Sequence, residues 1–121
     1  MAAMNYVDLA RQNDAFRRTI ATGEHSQVVV MAIQPGEDIG EETHEGDQIL
    51  LFVEGEGTAV LEGPSEPVRA GDLVFVPAGT LHNFVNAGPE PLRLVTIYAP
   101  PEHPDGTVHQ TKADAERAEQ H

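Results

Sequence analysis

The sequence predicts an all-β fold, a barrel or sandwich of short strands followed by one short helix. Three observations carry this. Apolar, β-branched runs recur along the chain, turn chemistry separates them every 8 to 12 residues, and helical periodicity appears only near the C-terminus.

The strands follow in order. A-F-R-R-T-I-A-T (15 to 22) is a candidate first strand. S-Q-V-V-V-M-A-I (26 to 33) is the most β-branched and apolar run and reads as a buried strand. P-G-E-D-I-G is a turn. Q-I-L-L-F-V-E (48 to 54) is a second strong strand, closed by G-E-G, and T-A-V-L-E (58 to 62) follows at hairpin spacing. G-P-S-E-P-V-R-A-G-D is turn chemistry around one short strand. D-L-V-F-V-P (72 to 77), L-H-N-F-V-N (81 to 86) and L-R-L-V-T-I-Y-A (92 to 99) complete the set. The tail then changes character. P-P-E-H-P-D-G-T-V-H-Q is an extended arm, and T-K-A-D-A-E-R-A-E-Q is a short helix with Thr111 at the N-cap and Asp114 at N3.

These elements fit one domain over residues 1–121, with a barrel core at about 15–99 and the arm and helix at 100–121. The net charge of −13 opposes binding to nucleic acid or to anionic membranes. No run is apolar and long enough to span a bilayer. The chain has no Cys, so any metal would sit on His, carboxylate or amide ligands. A cytoplasmic location is expected, since there is also no apolar leader segment.

Eight acids and no Lys or Arg lie between Glu37 and Glu56. For most of them a solvated surface is the simplest account. Within them, E-T-H-E-G-D-Q (42 to 48) crowds Glu42, His44 and Gln48 around one glycine. Glu42 and His44 are two apart on an extended segment and share a face. Glu41 has the opposite parity. Either Asp47 or Gln48 can point inward, but not both, because neighbouring strand residues face opposite ways. His82 shares parity with Phe84 and Asn86. Local reasoning does not bring His82 to His44. Among the other His residues, His25 reads as exposed, His121 as a disordered terminus, and His103 and His109 as surface positions on an arm that could fold back over a barrel mouth.

The spacing supplies a further signal. Gly36, Glu42, His44, Gln48 and Gly55 are separated by five, one, three and six residues; Gly71, Pro77, Gly79, His82 and Asn86 by five, one, two and three. This resembles the two motifs of the cupins, G-x5-H-x-H-x3-E-x6-G and G-x5-P-x-G-x2-H-x3-N. The second matches at every defined position. The first matches in spacing, with Glu42 at a His position and Gln48 at the Glu position. The tail A-P-P-E-H-P-D-G-T-V-H resembles the arm of a subgroup of small bacterial cupins that share E-x-H-x3-Q.

The resemblance implies a jelly-roll barrel, commonly a homodimer, holding one divalent metal ion on Glu42, His44, Gln48 and His82. The run Val28 to Val30 fits a strand covered on both faces, for which a partner subunit is one source. The altered set keeps the family's net charge of one carboxylate but exchanges a nitrogen for an oxygen, which favours Mn, Fe or Mg over Cu; Zn and Ni remain candidates. A metal-free barrel, in which these side chains bond one another, is the alternative. With a metal, the implied chemistry is that of an isomerase, lyase or dioxygenase on a small oxygenated metabolite. Without one, the protein is a small-molecule binding barrel. Tyr98 and His103, at the barrel's end, are the candidate catalytic groups; Phe52 and Phe84 are candidate pocket-lining residues.

Overall fold

A computed structural model describes residues 3–119 of the chain. Helix α1 (Tyr6–Gln12) precedes nine strands: β1 (Arg17–Thr22), β2 (Gln27–Ile33), β3 (Asp47–Glu54), β4 (Glu56–Val60), β5 (Glu66–Arg69), β6 (Leu73–Val76), β7 (Asn83–Val85), β8 (Leu92–Ala99) and β9 (Val108–His109). Helix α2 (Lys112–Glu119) ends the described chain. The predicted Gln120 of that helix and His121 lie outside the described residues. The strands form an antiparallel six-stranded sheet, β6-β3-β8-β2-β1-β9, and a three-stranded sheet, β5-β4-β7.

The period-two alternation of β2, β3 and β8 decides what fills the barrel. Val29, Met31, Ile33, Leu50, Phe52, Leu92 and Leu94 point inward and pack with Phe84 from the smaller sheet. Val30, Val53 and Val95 point outward and are covered by Ala10 of α1. Val30 is thus buried on the outer face by a helix of the same chain, so no partner subunit is needed to explain it. That helix is absent from the sequence-based expectation. It has only seven residues; at its start the Asn5 side chain accepts from the Asp8 N–H, and at its end the Asn13 N–H donates to Ala10 O.

Strand β4 begins two residues earlier than predicted. Gly55 makes the turn alone at φ 89°, so Glu56 already pairs with Arg69. The expected cap of α2 is present as a reciprocal pair: the Asp114 N–H donates to Thr111 Oγ1 at 3.0 Å, and the Thr111 N–H to Asp114 Oδ2 at 3.3 Å. Lys112 of α2 reaches back to Asp38, and Ala115 is buried in the barrel core.

The segment 36 to 44 is more ordered than its turn-like sequence suggests. Its backbone runs antiparallel to β7 and the residues before it. Gly36 N–H donates to Asn86 O, Ile39 N–H to Phe84 O, and Glu42 and His82 exchange both hydrogen bonds, at 2.9 and 3.0 Å. The two motif segments, forty residues apart in sequence, are therefore neighbours at the edge of the smaller sheet, joined by isolated bridges.

Candidate functional site

The exchange between Glu42 and His82 places their side chains on one face of the sheet, and the i, i+2 spacing adds His44 to it. His44 Nε2 lies 3.4 Å from Glu42 Oε2, and the His44 and His82 rings stand 5.2 Å apart between centroids. Gln48 enters from β3, opposite Tyr98 of β8. His44, Gln48, His82 and Tyr98 are all buried, and Glu42 is largely so.

Asp47 faces outward, where its Oδ1 accepts the Ala78 N–H at 2.9 Å and fixes the P-A-G-T loop. The same loop donates from the Gly79 N–H to His44 O at 2.9 Å. Gly79 holds φ at 82°, which a side chain would strain. Gly46, the glycine between Glu42 and Gln48, passes so close to the chain after β8 that an added Cβ would stand 2.3 Å from Ala99 O.

Both imidazoles are oriented from behind. His82 Nδ1 lies 2.8 Å from Thr80 O; a carbonyl only accepts, so Nδ1 carries the proton and Nε2 keeps its lone pair. His44 Nδ1 lies 3.1 Å from a carboxylate oxygen of Glu102, an ion-pair distance, although off the direction of a hydrogen bond. Gln48 turns its Nε2 to Thr96 Oγ1 at 3.0 Å, which leaves Oε1 buried without a partner. His44 Nε2 is likewise buried without one. Buried polar atoms are normally satisfied, so an unpartnered imidazole nitrogen and an unpartnered amide oxygen in one site are compatible with an electropositive group between them. Imidazole nitrogen and amide and carboxylate oxygen are the donor types a divalent first-row ion accepts, and His rings held from behind by oxygen are typical of such ligands. The residues fit the ion. Among the described residues, however, no three His, Asp or Glu side chains are already closed up as a metal cluster.

Phe84 lies under His82, with ring centroids 6.0 Å apart, and Phe52 lies beside Phe84 at 5.8 Å. Both belong to the barrel core; Phe84 is the floor of the site, and Phe52 lies behind it. Tyr98 stands edge-on between His44 at 5.5 Å and His103 at 5.3 Å.

The arm folds back over the barrel, the alternative that its default reading as surface left open. Gln27, fully buried on β2, donates to His103 O at 2.7 Å and accepts from the N–H groups of Glu102 and His103 at 3.2 and 3.1 Å. His109 of β9 accepts from Arg17 at 3.1 Å. Gln27 and Glu102 border the site and Arg17 holds the arm through His109; the sequence alone singled out none of the three. The only signal for Gln27 and Arg17 was polarity at an inward parity of a strand.

Burial pushes the Glu42 carboxyl upward against the opposing pull of His44 and Arg17. Burial also raises Tyr98, which stays a neutral phenol. His103 is driven down to about 3 by burial and by Arg17, so it is a neutral imidazole near neutrality. The site thus offers a hydrogen-bond donor in Tyr98 and a weakly basic nitrogen in His103.

The family model described as "Cupin domain" matches residues 29–98, more than half of the chain and all four candidate ligands. The chain belongs to the cupin family. Among solved structures, this cupin is similar to BH2720 from Bacillus halodurans, with a TM-score of 0.94, 46% identity, and coverage of 96% of this chain and 93% of that one. It is 47% identical over 117 residues to the uncharacterized protein YrkC of Bacillus subtilis, covering 90% of this chain and 62% of that protein. It is 32% identical over 68 residues to an oxalate-binding protein of Thermotoga maritima, covering 55% of this chain and 56% of that protein. The chain spans somewhat under two thirds of the length of these curated relatives. Among the described residues no helix is long and apolar enough to cross a membrane.

Proposed function

We propose that this cupin holds one divalent metal ion, of the Mn, Fe, Zn or Ni type, through Glu42, His44, Gln48 and His82, and acts on a small oxygenated metabolite. The observation that supports it is the pair of buried, unpartnered atoms His44 Nε2 and Gln48 Oε1, on a site shared with Glu42 and His82. When bound, a divalent ion supplies Lewis-acid polarisation of a carbonyl, hydroxy-acid or sugar-like ligand, or, if it is Fe, a position for O₂. The chain's own groups then orient and enclose. Tyr98 donates a hydrogen bond from the wall. The arm, pinned by Gln27, excludes water. His103 is the nearby nitrogen available to a transferred proton, in an isomerase, lyase or dioxygenase reaction.

Titration of metal-free protein with Mn²⁺ and Zn²⁺ by calorimetry tests this. One site is expected, weakened in Gln48→Leu. Absence of binding, or affinity unchanged in Gln48→Leu, would contradict it.

One observation favours a second reading, a binding barrel without catalysis. Tyr98 and His103 both sit far from the proton affinity that suits a general base near neutrality. Ligands that stabilise the protein and are recovered unchanged would support it.

A homodimer is also proposed. Leu73 and Phe75 are exposed on β6, an edge strand of the larger sheet, and give an apolar surface for a second copy. Light scattering at a monomer mass would remove that proposal.

A further inference from the structure

Arg17 is the largest fully buried side chain of the protein and is 1% exposed. It stands opposite Met31 of β2 and His109 of β9, in the inward-facing row of the six-stranded sheet. A guanidinium offers five N–H donors and never loses its charge. Here Nη1 meets His109 Nδ1 at 3.1 Å, and Nε is buried with no partner. The side chain also lies over the Phe16 ring, 5.3 Å from its centroid. Among the described residues, no carboxylate comes within ion-pair distance of it.

Such a charge is costly. Buried cations are normally paired, and a neutral side chain would hold His109 with less desolvation. The cation is nevertheless held against the arm, bonded to His109, and the same arm brings His103 to Tyr98. His109 is spent as the acceptor of one N–H. Glu42 is committed to the His44 side of the site. The guanidinium is therefore a buried charge with its Nε–H unpartnered and, among the described residues, no carboxylate at ion-pair distance.

We infer that Arg17 is an anion-binding residue of the barrel, and that the ligand is a small carboxylic acid whose carboxylate pairs with the Arg17 guanidinium. The planar fork suits the two oxygens of a carboxylate. The inference deepens the proposed function by naming its substrate class, and it rests on the reading of the barrel interior as a small-molecule pocket.

The test uses oxalate, pyruvate and glycolate, with pyruvamide as the uncharged counterpart of pyruvate. Each is titrated by thermal shift and calorimetry into the full chain, with and without Mn²⁺. Wild type, Arg17→Met and Arg17→Lys are compared. At least one acid should stabilise the wild type, and where pyruvate does, it should bind on the order of tenfold or more tighter than pyruvamide. Arg17→Met should lose the stabilisation by acids, yet melt at a higher temperature than wild type when no acid is present, because an unpaired buried charge is gone. Arg17→Lys should keep the charge and bind more weakly than wild type, having lost the fork. The inference is overturned if none of the three acids stabilises the wild type, if pyruvate and pyruvamide bind equally, or if Arg17→Met keeps the acid response. It is overturned as well if Arg17→Met fails to fold, since the guanidinium would then be structural. Mn²⁺ binding without any acid response would sink this inference and leave the metal site standing. An acid response through Arg17 without Mn²⁺ binding would do the reverse.

Discussion

Glu42 and His82 exchange both backbone hydrogen bonds, N–H to O at 2.9 Å in one direction and 3.0 Å in the other. This pair turns two separate sequence motifs into one site. Without it, Glu42 and His44 would be an acidic loop and His82 a strand residue forty positions away. With it, three donor side chains share one face, and Gln48 faces them from the larger sheet.

The glycine between the ligands is a steric requirement. Gly46→Ala would set a Cβ 2.3 Å from Ala99 O and 2.5 Å from Pro100 Cδ. Backbone yields little, so a loss of about 1–3 kcal/mol is expected, the range of overpacked substitutions. Urea denaturation checks it, and an unchanged midpoint would mean that the two segments are free to separate.

Gln27 holds the arm. Gln27→Leu removes the partners of His103 O and of the Glu102 and His103 N–H groups. Each bond is worth about 1 kcal/mol, and more where a buried group is left unpaired. Hydrogen exchange should accelerate across residues 101 to 110 while β3 and β8 stay protected. Equal acceleration throughout would show Gln27 supporting the barrel as a whole.

Glu102 backs His44. If His44 is a ligand, Glu102→Gln should weaken metal binding by on the order of tenfold without loss of fold, as is usual for a group orienting a ligating imidazole. Competition with a chelator measures this. No change would place Glu102 outside the site's function.

The docking of α2 responds to acid. The hydrogen bonds from Lys112, first, and Asn83 hold Asp38 below its usual 3.8. A lowered carboxyl contributes stability that is fully present above that value and is lost as the pH falls through the depressed one. Lys112→Met should therefore be less stable than wild type near neutrality, and the two denaturation midpoints should converge as the pH falls through the depressed Asp38 value. A gap that persists in acid would assign the difference to packing.

Much of this was legible in the sequence, for identifiable reasons. Strands β2, β3 and β8 carry long β-branched runs and lie at the centre of the larger sheet, where period and burial agree. The spacing around Glu42, His44, Gln48 and His82 survived because glycines such as Gly55 and Gly79 need positive φ and so fix the turns. Helix α1 is too short for periodicity to register, and β9 has two residues. Arg17 gave only a weak signal, for a different reason. A charged residue in a strand reads as solvent-facing, and only the register opposite Met31 reveals that it points inward. The arm's contribution depends on Gln27, seventy-five residues before Glu102, a pairing that no local pattern encodes.

The central claim is that Glu42, His44, Gln48 and His82 hold one divalent ion. Elemental mass spectrometry of untagged protein, as purified and after reconstitution, tests it most directly beside His82→Ala. The expected result is close to one equivalent of Mn, Fe, Ni or Zn in the wild type and its loss in a folded His82→Ala protein. A wild type that takes up no metal even after reconstitution, or a variant that retains it, would contradict the claim.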